Sequence, residues 1–201
     1  MNRSHKAVTP LAILAMMAFY QEWNYTAWIY LATHGTYALL WVYKGFTFPD
    51  RQFLVPCSIP YGVFYVWLPL SLYWIAGWLV MSRHVQAPPW YLAMCVSLTA
   101  TGIFFHYVGD MQKHMHMQYR KGTLLTEGVW AGCRNPNYFG ELLIYLGFGL
   151  LAMHWLPMAI LGTMVVGLWI PNMRLKDKSM SRYPEFAAWK ARTGKIVPYL
   201  L

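Results

Sequence analysis

Between Gly128 and Gly149 the sequence reads GVWAGCRNPNYFGELLIYLGFG, which sets Arg134, Asn135, Asn137, Tyr138 and Glu141 directly against an apolar run. Polar groups at a hydrocarbon boundary are expensive unless something pairs with them. The cluster is therefore either a ligand site or a helix end closed by an Arg134 to Glu141 ion pair. Just upstream, FFHYVGDMQKHMHMQYRKGTLL places His106, Asp110 and His114 at i, i+4 and i+8, on one helix face. A His-x3-Asp-x3-His face has ligands for a metal, but no second histidine cluster completes a di-iron site, and His114 and His116 lie on different faces. No metal is expected. A solvated helix end with histidines at headgroup level is one alternative. The other is a ligand site, because Asp110, Lys113, Arg120, Lys121 and Arg134 gather acceptors and donors around one mouth, an arrangement suited to a nucleotide.

The elements that must position these residues follow from composition. Of 201 residues, 58% are hydrophobic, 18% aromatic and only 11% charged, against roughly 25% charged in a soluble domain. The chain reads as an all-α integral membrane protein forming a single membrane domain over 1–201, without linkers, repeats or low-complexity segments. Cys57, Cys95 and Cys133 are scattered and show no zinc or redox spacing. The first residues have a basic head and an apolar run but no small-residue cleavage site, so they are expected to stay as a first helix. Windows near the ~20 residues a span needs cover 7–22, 25–43, 61–81 and 90–109. A fifth apolar region, 138–172, is too long for one helix.

Charge separates the possibilities for that region. The N-terminus and segments 44–60, 110–137 and 173–201 hold all of the 16 Lys and Arg except Arg83. Lys and Arg concentrate on the cytoplasmic side, so an even number of crossings must separate 110–137 from the C-terminal segment. The fifth region is then a short helical hairpin, giving about six membrane helices with both termini on the positive-inside face. Helices of about 15 residues reach only about 22 Å, so the hairpin is expected to tilt or stop short of the far face. The tail reads as a short amphipathic helix at the interface, ended by Gly194 and Pro198. The net charge of +9 fits this topology or an anionic ligand, and nucleic acid is not expected.

The stretch LLTEGVWAGCRNPNYFGE, Leu124 to Glu141, resembles the signature shared by membrane sterol reductases and steroid 5-alpha-reductases. DMQKHMHMQYRKG upstream and DKSMSRYPEFAAWKARTGKIVP downstream extend the resemblance over about residues 105–200. Asn135 stands where those families usually have histidine, and Asp177 where glutamate is more usual. The resemblance implies a nucleotide cofactor held by the last helices and their loops, with Arg134 and Lys121 or Arg120 on phosphates. It also implies Asn137 and Glu141 on an amide or ribose, Tyr138 and Trp130 as planes for a ring, and Arg174 with Tyr183 closing from the tail. His106, Asp110, Lys113 and Asn135 belong to the same wall.

A related Arg-His-Pro core occurs in isoprenylcysteine carboxyl methyltransferases and phospholipid methyltransferases, which use S-adenosylmethionine. The crowd of cations favours NADPH, which carries three phosphate groups. The activity implied is NADPH-dependent reduction of a carbon–carbon double bond in a lipophilic, steroid- or isoprenoid-like enone. The alternatives are an S-adenosylmethionine-dependent methyltransferase and a catalytically inactive subunit of a larger membrane complex. Polarisation of the substrate carbonyl and proton delivery are expected from the first two helices, through Glu22, His34 and Tyr37. Their alternatives are a solvated turn, a hydrogen-bonded core histidine and a packing tyrosine. The remaining partner is the lipid bilayer.

Overall fold

The computed structural model describes residues 2–50 and 55–200. Arg51, counted above in the charge balance, lies outside the described residues. Every extended element is helical: α1 (Asn2–Tyr20), α2 (25–47), α3 (Ile59–Ser71), α4 (Trp74–Ser82), α5 (Pro89–Tyr119), α6 (Pro136–Leu150), α7 (Trp155–Met180) and α8 (Phe186–Ala191). There is no strand among the described residues beyond one isolated bridge, Cys133 to Gly194.

Two of these helices, α5 and α7, are long and apolar enough to cross a membrane, and the pair α3 and α4, bent by 42°, makes a third if it counts as one span. These lengths and compositions point to a membrane protein. α5 has 31 residues, about 46 Å at 1.5 Å per residue, so it outruns a hydrocarbon core of about 30 Å. The expected fifth region does fold back on itself, at Leu151–His154. Its second arm is longer than expected, however: α6 has 15 residues and α7 has 26. Pro171, near the expected end, sits inside the continuing helix.

The chain divides into two compact units. Unit 1 comprises residues 1–100 and 144–160, and its core holds Ile13, Met17, Tyr30, Tyr37, Trp41, Val80, Met81, Tyr145 and Phe148. α1 ends where Gln21 takes a left-handed conformation (φ 52°). α2 then starts at Asn24, whose side chain caps Ala27 N–H at 3.0 Å. The same turn is tied to the segment after α4, because Asn24 Nδ2 donates to the Val85 carbonyl and Ala87 N–H to Thr26 Oγ1, both at 2.9 Å.

Unit 2 comprises residues 101–143 and 161–201. Pro136 opens α6, as a proline suits the first turn of a helix, and Phe139 N–H bonds the Asn135 carbonyl at 3.0 Å. α6 approaches α5 through Gly140, where an added Cβ would meet the backbone of Gly102 and His106. Small residues allow this closeness between membrane helices. Below it, Trp130, Phe186 and Trp189 form a buried cluster with Leu124, Leu125, Met180 and Tyr183 packed around it. Both indole N–H groups are satisfied, Trp130 by the Gly109 carbonyl at 3.1 Å and Trp189 by the Trp130 carbonyl at 3.0 Å.

The tail closes unit 2. Arg134 N–H donates to the Gly194 carbonyl at 2.9 Å, and Gly194 and Tyr199 N–H both donate to Gly132, at 3.1 and 2.9 Å. The Arg134 guanidinium donates through Nη1 to the carbonyls of Lys190 (3.0 Å) and Thr193 (2.5 Å), and its Nε lies 3.5 Å from Asp177 Oδ1. Asn135 uses both ends of its amide, donating to the Lys195 carbonyl at 3.0 Å and accepting from Lys176 Nζ at 3.4 Å.

Arg134→Ala is expected to destabilise the protein by about 3–5 kcal/mol, because Asp177 is left as an uncompensated, mostly buried charge. Thermal unfolding in detergent measures this, and limited proteolysis should show faster cleavage within 181–195. An unchanged midpoint with a protected tail would refute the clasp. Gly140→Ala is expected to cost about 1–3 kcal/mol by overpacking against backbone that cannot move aside. Gly162→Ala, with open space around it, should stay within about 0.5 kcal/mol. Equal effects at the two positions would contradict the close approach.

Candidate functional site

In unit 2 the first turn of α6 meets α5 through a buried polar box. Asn137 Nδ2 donates to Asp110 Oδ1 at 3.1 Å. His106 Nδ1 lies 3.1 Å from the Asn137 carbonyl; a carbonyl only accepts, so this nitrogen carries the proton. His106 Nε2 is 3.6 Å from Asp110 Oδ2. His106 and Asp110 are 3% and 4% exposed. The other end of the amide, Asn137 Oδ1, is buried and has no hydrogen-bond partner among the described residues. Glu141 follows one turn later and shares the face of Asn137.

The remaining expected residues of this wall take varied places. Tyr138 carries Lys176 Nζ over its ring at 4.5 Å and packs against Trp169 at 5.3 Å. Arg134 points to the tail and Asp177, and the Arg134 to Glu141 pair is not what the structure forms. Trp130 is 5% exposed, so the plane expected for a ring is covered by the protein's own tail. Tyr183 flanks that cluster and accepts from Arg182 Nη2 at 3.1 Å. Arg120 pairs with Glu127 at 2.5 Å, both well over half exposed, which is worth little in water. Lys121 and Arg174 are exposed and Lys113 is half-buried. Among the described residues no three His, Cys, Asp or Glu side chains converge to hold a metal. Beside the box, Cys133 donates to the Ile196 carbonyl at 2.9 Å. Burial pushes its thiol up to about 11, partly opposed by the Asn135 backbone and the Arg134 charge, so it is a neutral packing group at pH 7.

Unit 1 holds the three residues expected to act on substrate, and it does not bring all of them together. Glu22, 7% exposed, is paired with His84 Nδ1 at 2.5 Å in the turn before α2. His34 lies about 14 Å further along the helix axis from Tyr25, at 1.5 Å per residue. There its Nδ1 meets the Tyr30 hydroxyl at 2.8 Å, and its ring stacks on Phe148 at 4.1 Å. It sits in a π turn, Leu31–Gly35, a local widening of the helix often found at functional sites. Tyr37 is fully buried beneath Lys6 Nζ, which lies 4.4 Å from its ring and 5.7 Å from that of Tyr145.

Two residues of this nest were not anticipated. Lys6 and His5 fall in the basic head that precedes the expected window 7–22, yet they are 3% and 2% exposed inside α1. His5 stacks on Trp74 at 4.7 Å, and its Nε2 lies 3.2 Å from Ser71 Oγ. The signal was present: Lys6, Thr9, Ile13 and Met17 recur at helical spacing and form one buried face.

Comparison with known proteins places these elements. The family described as "Protein of unknown function (DUF1295)" matches residues 55–193. A cobalt-zinc-cadmium resistance protein of Cupriavidus metallidurans is 29% identical over 113 residues, 55% of this chain and 52% of that protein. A Delta(14)-sterol reductase of Methylotuvimicrobium alcaliphilum is 27% identical over 131 residues, covering 57% of this chain and 30% of the reductase. An uncharacterised protein of Schizosaccharomyces pombe is 29% identical over 73 residues, 33% of this chain and 27% of its own length. The matched part is thus about half the length of the first of these relatives and under a third of the others. The family match takes in the polar box, the Arg134 clasp and most of the tail, and on that match over more than half its length the chain belongs to the DUF1295 family.

Proposed function

We propose that the chain is a membrane reductase that holds NADPH through unit 2 and reduces the activated double bond of a lipophilic enone, steroid- or isoprenoid-like. The Asn137 amide carries this reading. It is fixed by Asp110, and its buried Oδ1 is left open to a donor such as a carboxamide N–H or a ribose hydroxyl. A buried acceptor without a partner costs about 1–3 kcal/mol, which a bound cofactor would recover. Glu141 on the same face is a second acceptor. Lys113, Lys121 and Arg174 are the cations for phosphate, with Arg120 and the Nη2 of Arg134 as further donors. Similarity to a sterol reductase supports the reaction class.

NADPH, when bound, supplies the hydride. Reduction of an enone also needs a polarised carbonyl oxygen and a proton for the α-carbon. In unit 1 Tyr37, with the Lys6 ammonium over its ring, is the group proposed to polarise the oxygen. His34, held by Tyr30, is proposed to hold the proton. Glu22, committed to His84, fixes the turn before α2. The surrounding aromatic and methionine side chains suit an apolar substrate. Six crossings, with both termini and segment 110–137 facing one compartment, remain the arrangement that fits the Lys and Arg distribution.

Calorimetric titration of the detergent-purified protein tests the cofactor. NADPH should bind more tightly than NADH or S-adenosylmethionine, and Asn137→Leu should weaken NADPH binding by about 1–3 kcal/mol. Unaltered NADPH affinity in that variant, or tighter binding of S-adenosylmethionine, would overturn the reading. For topology, single cysteines introduced at positions 120 and 195 should react with an impermeant maleimide from the same side of sealed vesicles. Labelling from opposite sides would rule out the six-crossing arrangement.

A further inference from the structure

The segment that closes unit 2 is strongly basic on its outer side. From Lys178 to Arg192 the exposed charges are Lys178, Arg182, Lys190 and Arg192 against a single exposed carboxylate, Glu185. Asp177, the acid just before them, does not offset these cations, because it is mostly buried beside Arg134 Nε. The Arg182 guanidinium donates to Ser179 Oγ at 3.3 Å and to the Tyr183 hydroxyl at 3.1 Å, and the Lys190 ammonium lies 5.9 Å from the centre of the Phe186 ring. These partners are neutral and leave the charges standing. The neighbouring loop does not reverse the balance: Leu124 and Leu125 pack against the Phe186 and Trp189 cluster, while Arg120 and Glu127 pair with each other.

Hydrogen bonds hold this surface at the edge of the apolar segments. Gly194 is bonded to Gly132 and Arg134, and Asn135 to the Lys195 carbonyl, so the end of the tail lies level with the residues just before α6. From Tyr138 onward α6 is largely apolar. α7 reaches the same boundary from the other direction. Its apolar run ends at Ile170 and Lys178 follows eight residues later, about 12 Å along the axis. The headgroup layer is roughly 5–8 Å deep on each side, and a charge acts over a further ~8 Å at physiological ionic strength. Lys178 is thus within reach of lipid phosphates, and the chain turns back from it toward the start of α6.

We infer that this surface binds the anionic headgroups of the bilayer face beside it, by charge and not by insertion. α8 has no large apolar side chain to insert: Phe186 and Trp189 are turned inward against Trp130, and its exposed residues are Ala187, Ala188, Lys190 and Ala191. Clustered Lys and Arg next to a membrane helix are attracted to an anionic leaflet, with a reach of about one Debye length. A bare count of Lys and Arg sets only the side on which a loop lies. The binding surface arises because Arg134 draws Asp177 into the protein and Trp130 draws in the aromatic rings of α8. None of the four cations belongs to the proposed cofactor site.

The test applies a glutamate-specific endoproteinase to the full chain in nanodiscs of phosphatidylcholine, alone or mixed with phosphatidylglycerol. Cleavage at the exposed Glu185 should be several-fold slower in the mixed discs. Potassium chloride at 1 M, where the Debye length is about 3 Å, should remove the difference. Lys178→Gln with Arg182→Gln, and Lys190→Gln with Arg192→Gln, should each lose part of the protection, and the four together nearly all of it. Glutamine at 190 keeps the backbone carbonyl that Arg134 uses, so cleavage in phosphatidylcholine should stay at the wild-type rate. Arg83→Gln, at an exposed cation of unit 1, should keep the protection. Equal cleavage of the wild-type protein in the two discs would overturn the proposal, as would protection that survives 1 M salt or full protection in both paired variants. The same protection from soluble polyphosphate added to phosphatidylcholine discs would assign the surface to a soluble polyanion and remove the lipid.

Discussion

Arg134 carries a charge that is 6% exposed, and unit 2 is arranged to make that tolerable. A buried charge persists only where acceptors replace its water. Here they are the carbonyls of Lys190 and Thr193 and the carboxylate of Asp177. These acceptors come from the tail and from α7, while the arginine itself precedes α6. One side chain thereby fixes three segments. The Asn137 amide depends on this, because it belongs to the first turn of the helix whose start the arginine anchors.

Much of the helical layout was legible because apolar length and periodicity are strong signals. The windows at 25–43 and 90–109 became helices over 25–47 and Pro89–Tyr119. The extra residues mix polar with apolar ones, Lys44 and Thr47 with Phe46 in one helix and Asp110, Gln112 and Lys113 with Met111 and Met115 in the other, and a hydropathy window stops at the polar ones although the backbone keeps its hydrogen bonds. α7 runs past Pro171 for a similar reason. A proline in a helix needs only that the carbonyl one turn back be accommodated, and the π turn Val165–Trp169 lies directly before it.

The candidate site was legible by residue type and less so by partner. That Arg134, Asn137 and Glu141 are polar residues around a helix start could be read from spacing. That the arginine would turn toward residues 190–193 could not, because its acceptors are mainly backbone carbonyls and every residue offers one. Asn135 shows the converse. A side chain with a donor and an acceptor suits a position that bonds both the Lys195 carbonyl and Lys176 Nζ. Lys6 and His5 were missed because a charge near the start of a membrane chain usually signals orientation. The aromatic rings of Tyr37 and Tyr145 give this ammonium a favourable apolar setting, worth about 2 kcal/mol when desolvated.

The tail clasp also has a clock. Arg134 and Thr193 are separated by 59 residues, so the arginine is synthesised well before its main acceptors. At ~5–20 residues per second, that interval is about 3–12 s. During it the guanidinium has neither tail carbonyl, and α6 has no ladder at Gly194 to hold its start. The Arg134 clasp therefore cannot close before residues 190–194 have been made.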